Sequence, residues 1–277
     1  MNKIAFIGAG NMARAIIIGL VNSGITPQDI IVANPSEAKR LNLAKEFGVL
    51  QTDDNIKASE FADVIVLCVK PHFITDVCLQ ISQAINIAGK LFISVAAGTT
   101  VEQIQSSLSQ NNTTKLTTKL TPVVRVMPNT PSQLGLGMSG LFASNEVTVE
   151  QKASAEKITN AVGKSIWLNT EDKINNIIAV AGSAPAYYFL FMEAMEQQAK
   201  QYGFSEEESR MLVQQTALGA AQMVAHNSAP ISELRANVTS KGGTTHAAIE
   251  QFKHDGMEKM VRNAMAAAIA RAEEMAK

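Results

Sequence analysis

Gly8-Ala9-Gly10-Asn11-Met12-Ala13 fits the pattern G-x-G-x-x-G/A, with Ala13 in the third small position. It follows the apolar run Lys3 to Gly8 and opens the helical-period stretch Met12 to Asn22, the strand–turn–helix order that such a turn needs. Gly8 permits the tight turn, Gly10 lets backbone approach a pyrophosphate, and Ala13 is small enough for helix to pack on strand. The free N–H groups and positive dipole end of the helix complete an anion site. An isolated glycine turn would be weak evidence, but this one stands at the head of an alternating α/β chain.

The end of the second β-like run discriminates between cofactors. NAD-specific sites place Asp or Glu there to bond the ribose 2′-hydroxyl. Here the run is Ala33-Asn34-Pro35-Ser36-Glu37, followed by Lys39 and Arg40, and Asn34 takes the acid's place. A neutral polar residue, a serine and nearby cations suit a 2′-phosphate, so the expectation is NADPH. NADH stays open, because Lys39 and Arg40 would equally serve a solvated helix face. Val69-Lys70-Pro71 and Val95-Ala96-Ala97 follow two further strands, at the carboxyl ends where doubly wound sheets bind ligands. Small residues at 96 and 97 would let a flat ring approach the backbone.

A second constellation lies far along the chain, in Glu233-Leu234-Arg235-Ala236-Asn237-Val238-Thr239-Ser240-Lys241-Gly242-Gly243-Thr244-Thr245. A glycine pair flanked by hydroxyls, with a helix from His246, makes a cup of N–H and OH donors able to hold a small carboxylate. Thr244 or Thr245 would also serve as a plain helix cap, and capping and anion binding share one geometry.

These groups need elements to position them. Strands are expected at Lys3 to Gly8, Asp29 to Ala33, Val64 to Val69, Leu91 to Val95 and Val123 to Val126. Helices are expected at Met12 to Asn22, Ser36 to Phe47, Phe73 to Ile85 and Val101 to Leu108. Alternation of this kind implies right-handed βαβ units and a mostly parallel, doubly wound sheet. Gly135 to Ser144 and Ser165 to Leu168 read as further strands around a helix at Val149 to Val162, and the polar run Asn111 to Thr121 as a solvated loop. After about residue 170 the β signals fade. Ile174 to Ala181, Ala186 to Tyr202, Glu206 to His226 and Met257 to Ala276 carry helical spacing, with a capping box in Ser205 and Glu208. The expectation is an α/β Rossmann domain over 1–168 and an all-α domain over 169–277.

Composition narrows the function. With a net charge of −1 and 18% charged residues, nothing global favours nucleic acid or an anionic membrane. Cys68 and Cys78 make neither a disulfide framework nor a zinc site, and Cys68 lies in an apolar run where a reduced, packed thiol is the ordinary reading. His72, His226 and His254 show no metal spacing, so no metal is expected. No run of 18 apolar residues lacks a charge or strong breaker, and the start of the chain has no signal-peptide pattern; a soluble cytoplasmic protein is expected.

The chain resembles the Δ1-pyrroline-5-carboxylate reductases. The residues that carry the resemblance run in order over nearly its whole length: Gly8 to Ala13, Val69-Lys70-Pro71, Ser94 to Gly98, Arg125-Val126-Met127-Pro128-Asn129-Thr130-Pro131, Gly182-Ser183-Ala184-Pro185-Ala186-Tyr187, and the cup at Ser240 to Thr245. The resemblance implies hydride transfer from NAD(P)H to the C=N bond of 1-pyrroline-5-carboxylate, giving L-proline, the last step of proline synthesis. It implies a Rossmann domain joined to an all-α dimerisation domain, with homodimers built through the C-terminal helices and rings of such dimers.

Carried over by residue, Gly8, Ala9, Gly10, Asn11, Met12 and Ala13 match the pyrophosphate turn, and Asn34 and Asn55 the adenosine ribose. Val69, Lys70, Pro71, Val95, Ala96 and Ala97 match the nicotinamide side, and Asn237 a polar group near cofactor and substrate. Ser240, Gly242, Gly243, Thr244 and Thr245 match the loop holding the substrate carboxylate, with Thr245 as hydrogen-bond partner or proton donor to the ring nitrogen. Lys241 departs from the family's usual proline, Ala184 from its glycine, and His246 follows the Thr pair; none removes a group the chemistry needs. Two other readings compete. A β-hydroxyacid dehydrogenase needs a Lys with an Asn one helical turn later, but Lys173 is followed by Asn175 and Asn176, with Ile at 177. A non-catalytic cofactor-binding module would have no reason to keep the 240–245 loop intact.

Overall fold

The computed structural model describes residues 3–109 and 120–275. Of the Asn111 to Thr121 loop, only Leu120 and Thr121 fall among them. The described residues form two compact units: 3–109 and 120–183 with 268–275, and 184–267.

The first unit is built on a sheet of eight strands among the described residues: β1 (Ile4–Ile7), β2 (Ile30–Ala33), β3 (Leu50–Thr52), β4 (Val64–Leu67), β5 (Leu91–Ser94), β6 (Val123–Met127), β7 (Gly137–Ala143) and β8 (Gly163–Trp167). Their spatial order is β3-β2-β1-β4-β5-β6-β7-β8. All neighbours are parallel except β6 and β7, and β7 pairs in parallel with β8. The first six strands follow the doubly wound order, whose topological switch lies between β1 and β4. Short apolar runs rich in Ile and Val explain why β1, β2 and β4 extend, and burial on both faces explains why these three are continuously apolar.

Alternate residues of each strand feed opposite cores. Ile4 and Phe6 pack with Ile17 and Leu20 of α1 (Asn11–Asn22) and with Ile158 of α6 (Val149–Asn160). Ala5 and Ile7 face the other way, into a core shared with Ala58 of α3 (Asn55–Phe61), Ile81 of α4 (Ile74–Ala84) and Ile104 of α5 (Val101–Ser109). The remaining crossover helix, α2 (Glu37–Phe47), buries Leu43. α7 (Lys173–Ile177) follows β8 and runs into a single π turn, Ile178–Gly182, where the Ser183 N–H donates to the Ile178 carbonyl at 2.7 Å.

The second unit is helical: α8 (Ala184–Gln201), α9 (Glu206–Ala225), α10 (Ile231–Asn237), α11 (Thr244–His254) and most of α12 (Met257–Met275). The capping box at α9 is present in both directions, Ser205 Oγ accepting from the Glu208 N–H and Glu208 accepting from the Ser205 N–H. The stretch Lys173–Gln201 is long and apolar enough to cross a membrane by length and composition, with 22% of that window buried. Gly182 and Pro185 interrupt it, the breakers that the sequence reading requires.

Three elements have no counterpart in the sequence expectations: β3, α3 and α10. β3 has Leu50 and Gln51 exposed and no apolar alternation. α3 rests on Asp54, whose carboxylate accepts from the Ile56 and Lys57 N–H groups. α10 converts the first half of the Glu233 to Thr245 segment into helix. The helix after the cup begins at Thr244, two residues earlier than His246, and so takes in the Thr pair.

Candidate functional site

The turn after β1 is set by close approach. Gly8 has a φ of +110°, and a Cβ there would lie 2.7 Å from the Cys68 carbonyl oxygen at the end of β4. Its own N–H donates to the Ala33 carbonyl at 2.8 Å, tying the ends of β1 and β2 together. Gly10 caps α1 without any side-chain bond, and among the described residues nothing lies within 4 Å of where its Cβ would be. The result is an open concavity floored by backbone, with first-turn N–H groups that have no helical acceptor. Asn11 is exposed, Met12 half-buried and Ala13 fully buried against β1. A pyrophosphate fits this cradle; a side chain larger than hydrogen at Gly10 would occupy it.

Asn34, half-buried at the end of β2, accepts from the Ala9 N–H at 3.3 Å and donates to the Ser36 carbonyl at 3.4 Å. It therefore joins the turn at 8–13 to the carboxyl end of β2. Arg40 is folded back onto that end: its Nη1 donates to the Asn34 and Pro35 carbonyls at 3.4 and 3.3 Å, and its Nε to Gln51 Oε1 at 2.8 Å. Arg40 is thus held at the β2 terminus, whereas Lys39 is exposed. Asn55 begins α3 and donates to Gln80 of α4 at 3.2 Å.

Val69, Lys70 and Pro71 follow β4; Val95, Ala96 and Ala97 follow β5. The sheet order brings these segments and Gly8 to one carboxyl edge. Lys70 and Pro71 are exposed, Val69, Val95 and Ala97 half-buried, and Ala96 buried. A cavity of about 200 Å³ borders this edge, with Ala97, Gly98, Met127, Ile178, Ser183 and Arg271 on its walls. Cys68 and Cys78 are not its nucleophiles, since burial pushes both thiols up to about 12. Among the described residues, no cluster of His, Cys, Asp or Glu is placed to hold a metal.

The second unit carries the cup. Asn237 is the last residue of α10 and is exposed. Gly242 has a φ of +75°, and a Cβ on Gly243 would lie 2.6 Å from Ser240 Oγ. The chain thus turns so tightly that the Ser240 hydroxyl sits over Gly243, whose N–H donates to the Ser240 carbonyl at 3.0 Å. Gly243 is the cap of α11, with no side-chain cap bond. Thr244 and Thr245 are the first helical residues, not its caps, and both are exposed. Their N–H groups and hydroxyls are free of the capping role, which leaves a donor-rich helix start.

Motif and spacing assign no role to Arg125 or Glu171, which form an ion pair at 3.0 Å, Arg125 buried and Glu171 half-buried. The signal was there: one arginine inside the apolar strand Val123-Val124-Arg125-Val126-Met127 demands a buried partner.

Residues 171–275 match the family model for pyrroline-5-carboxylate reductase dimerisation. Residues 3–98 match that for NADP oxidoreductase, coenzyme F420-dependent. Over 276 residues the chain is 55% identical to a pyrroline-5-carboxylate reductase of Vibrio alginolyticus, covering 99% of this chain and 98% of the relative. It superposes on a pyrroline-5-carboxylate reductase from Coxiella burnetii with a TM-score of 0.93 at 41% identity, covering 100% and 99% of the two chains. The corresponding values for the Plasmodium falciparum pyrroline carboxylate reductase with NADP bound are 0.83, 27%, 100% and 98%.

Proposed function

Because the chain belongs to the pyrroline-5-carboxylate reductase family, we propose that it reduces 1-pyrroline-5-carboxylate to L-proline with NADPH. The observation that carries this reading is full-length identity of 55% to a reductase of that name, joined to a phosphate cradle open at Gly10. When bound, the reduced nicotinamide supplies a hydride and its electron pair to the imine carbon. The C=N bond becomes C–N, and the nitrogen carries the proton of a protonated imine or gains one from a donor. The chain's residues have only to bind, orient and shield, so neither a metal nor a covalent nucleophile is required.

Gly8 to Ala13 hold the pyrophosphate on the N-terminus of α1. Asn34 and Asn55 take the adenosine ribose, and Arg40, already turned onto the β2 end, supports the 2′-phosphate that distinguishes NADPH. Val69 to Pro71 and Val95 to Ala97 line the nicotinamide side. Ser240, Gly242, Gly243, Thr244 and Thr245 bind the substrate carboxylate through hydroxyls and the first N–H groups of α11. By the family resemblance, Asn237 serves cofactor and substrate, and Thr245 the ring nitrogen.

The 1–168 segment acts as the dinucleotide-binding domain and 169–277 as the dimerisation domain. Two chains pair through the C-terminal helices, which covers the exposed Tyr188, Phe189 and Leu190 of α8, and such dimers assemble into rings. That pairing, rather than lipid, accounts for the apolar stretch over Lys173–Gln201, and the enzyme works in the cytoplasm. The test is loss of reduced-nicotinamide absorbance with 1-pyrroline-5-carboxylate, NADPH beside NADH. Imine-dependent loss, faster with NADPH, is expected. Folded protein that binds NADPH but leaves the imine untouched would remove this substrate, and turnover of a hydroxyacid instead would favour the dehydrogenase reading.

A further inference from the structure

We propose that Glu171, anchored on the buried Arg125, is a positioning residue that sets the loop 96–100 for hydride transfer; this rests on the reductase reading above. Arg125 sits on β6 with its side chain 4% exposed, and Glu171 lies between β8 and α7 with its side chain 25% exposed. One carboxylate oxygen, Oε1, accepts two donors: Arg125 Nη1 at 3.0 Å and the Val101 N–H at 2.8 Å. Val101 is the first residue of α5, directly after the loop that begins at Val95. At the other end of that loop Ser94 Oγ accepts from the Ala96 N–H at 3.3 Å. The loop carrying Ala96 and Ala97 is therefore pinned at both ends, and Glu171 is the side chain that reaches it from outside.

The same residue fixes a second wall. The Glu171 carbonyl accepts from the Ile174 N–H at 2.9 Å and so starts the α7 turn. α7 leads into the π turn that presents Ile178 and Ser183 to the cavity, opposite the loop's Ala97 and Gly98. Both walls thus meet at one residue within one compact unit, the loop through the Glu171 carboxylate and α7 through its backbone carbonyl. A π turn of this kind is itself a frequent mark of a functional site.

Stability alone does not explain the pair. Arg125 Nε and Nη2 are buried without hydrogen-bond partners among the described residues. A half-satisfied buried guanidinium is costly, and apolar residues of like size often do as well or better in such a place. A free N–H at the start of α5 needs only a local capping side chain, not a charge anchored in the sheet. The arrangement makes sense if the location of Oε1 is what is being held, because a displacement of about 1 Å near reacting groups can lower turnover about 100-fold.

Three variants separate positioning from stability: Glu171→Gln, Glu171→Ala, and the double variant Arg125→Met with Glu171→Leu. Amide hydrogen exchange over residues 96–101, thermal melting, NADPH affinity and steady-state kinetics are read for each. Glu171→Ala should expose the Val101 amide, lower kcat about 10- to 100-fold and leave NADPH affinity within a few-fold. With deuterated cofactor, its isotope effect on kcat should rise. Glu171→Gln keeps an acceptor for Val101 and should recover the protection and most of kcat. The apolar double variant should recover the melting temperature but neither the protection nor kcat. The proposal is overturned if kcat returns with stability in the double variant, if Gln is as slow as Ala, or if Glu171→Ala keeps wild-type protection and rate. Should the wild-type enzyme reduce no pyrroline, the reductase reading fails by itself, and exchange at 96–101 still decides whether Glu171 holds the loop.

Discussion

A methyl group at Gly8 would place Cβ 2.7 Å from the Cys68 carbonyl at a φ of +110°, whereas one at Gly10 would meet nothing within 4 Å. Two glycines of one turn therefore serve different ends, one the packing of β1 on β4 and the other space for a ligand. Gly8→Ala should cost about 1–3 kcal/mol of stability through backbone strain, read by denaturant unfolding. Gly10→Asp should leave unfolding unchanged and abolish NADPH binding, because it puts bulk and negative charge where the pyrophosphate goes; fluorescence titration checks it. Equal unfolding losses in both would sink the distinction. In the cup, Thr245→Ala should spare NADPH affinity and lower turnover, and unaltered kinetics would remove Thr245 from the mechanism. The glycine pattern, Asn34 and the Thr pair were legible because each is a local signal. The bond from Ala9 to Asn34 and the pair Arg125–Glu171 span 25 and 46 positions, and no periodicity in one chain encodes such a pairing.

Elements were legible where an apolar repeat ran long enough. The buried strands β1, β4 and β5 and the helices α1 and α4 fall within a residue or two of their expected ends, because burial on both sheet faces leaves a continuous apolar run. β3 and α10 escaped because neither buries an apolar stripe: β3 shows two exposed residues of three, and α10 has no buried residue. Caps were more informative than composition in the helical half. At α9, the backbone and side-chain hydrogen bonds from Ser205 hold the Glu208 carboxyl below its usual value. A carboxyl lowered in the fold stabilises above its unfolded pKa and loses that contribution as pH falls through the folded value. Glu208→Gln should therefore lower thermal stability near neutral pH and lose this disadvantage in acid, where the wild-type carboxyl is protonated too. Melting curves taken from neutral to acid pH test this; a constant difference between the two proteins would rule out the charged cap as its cause.

At the scale of the whole molecule the helical half inverts the usual pattern. Its apolar spacing was plain in the sequence, yet Phe189, Leu190 and Met211 are 63%, 68% and 62% exposed. Spacing tells which residues share a helix face but not what covers that face, and a partner's surface is absent from a single chain's pattern. Apolar exposure on this scale marks an interaction surface, and the match of 171–275 to a dimerisation model says of what kind. The sign of one substitution decides it. On a solvated surface Leu190→Arg would change stability by no more than about 0.5 kcal/mol. In a homodimer interface the same change buries an unpaired charge, so the variant should run as a monomer in light scattering and melt lower. The wild-type melting temperature should rise with protein concentration, because association adds to apparent stability by mass action. A Leu190→Arg protein of wild-type mass and melting temperature would mean that the α8 face meets solvent, and the covering partner would have to be sought on α9 and α12.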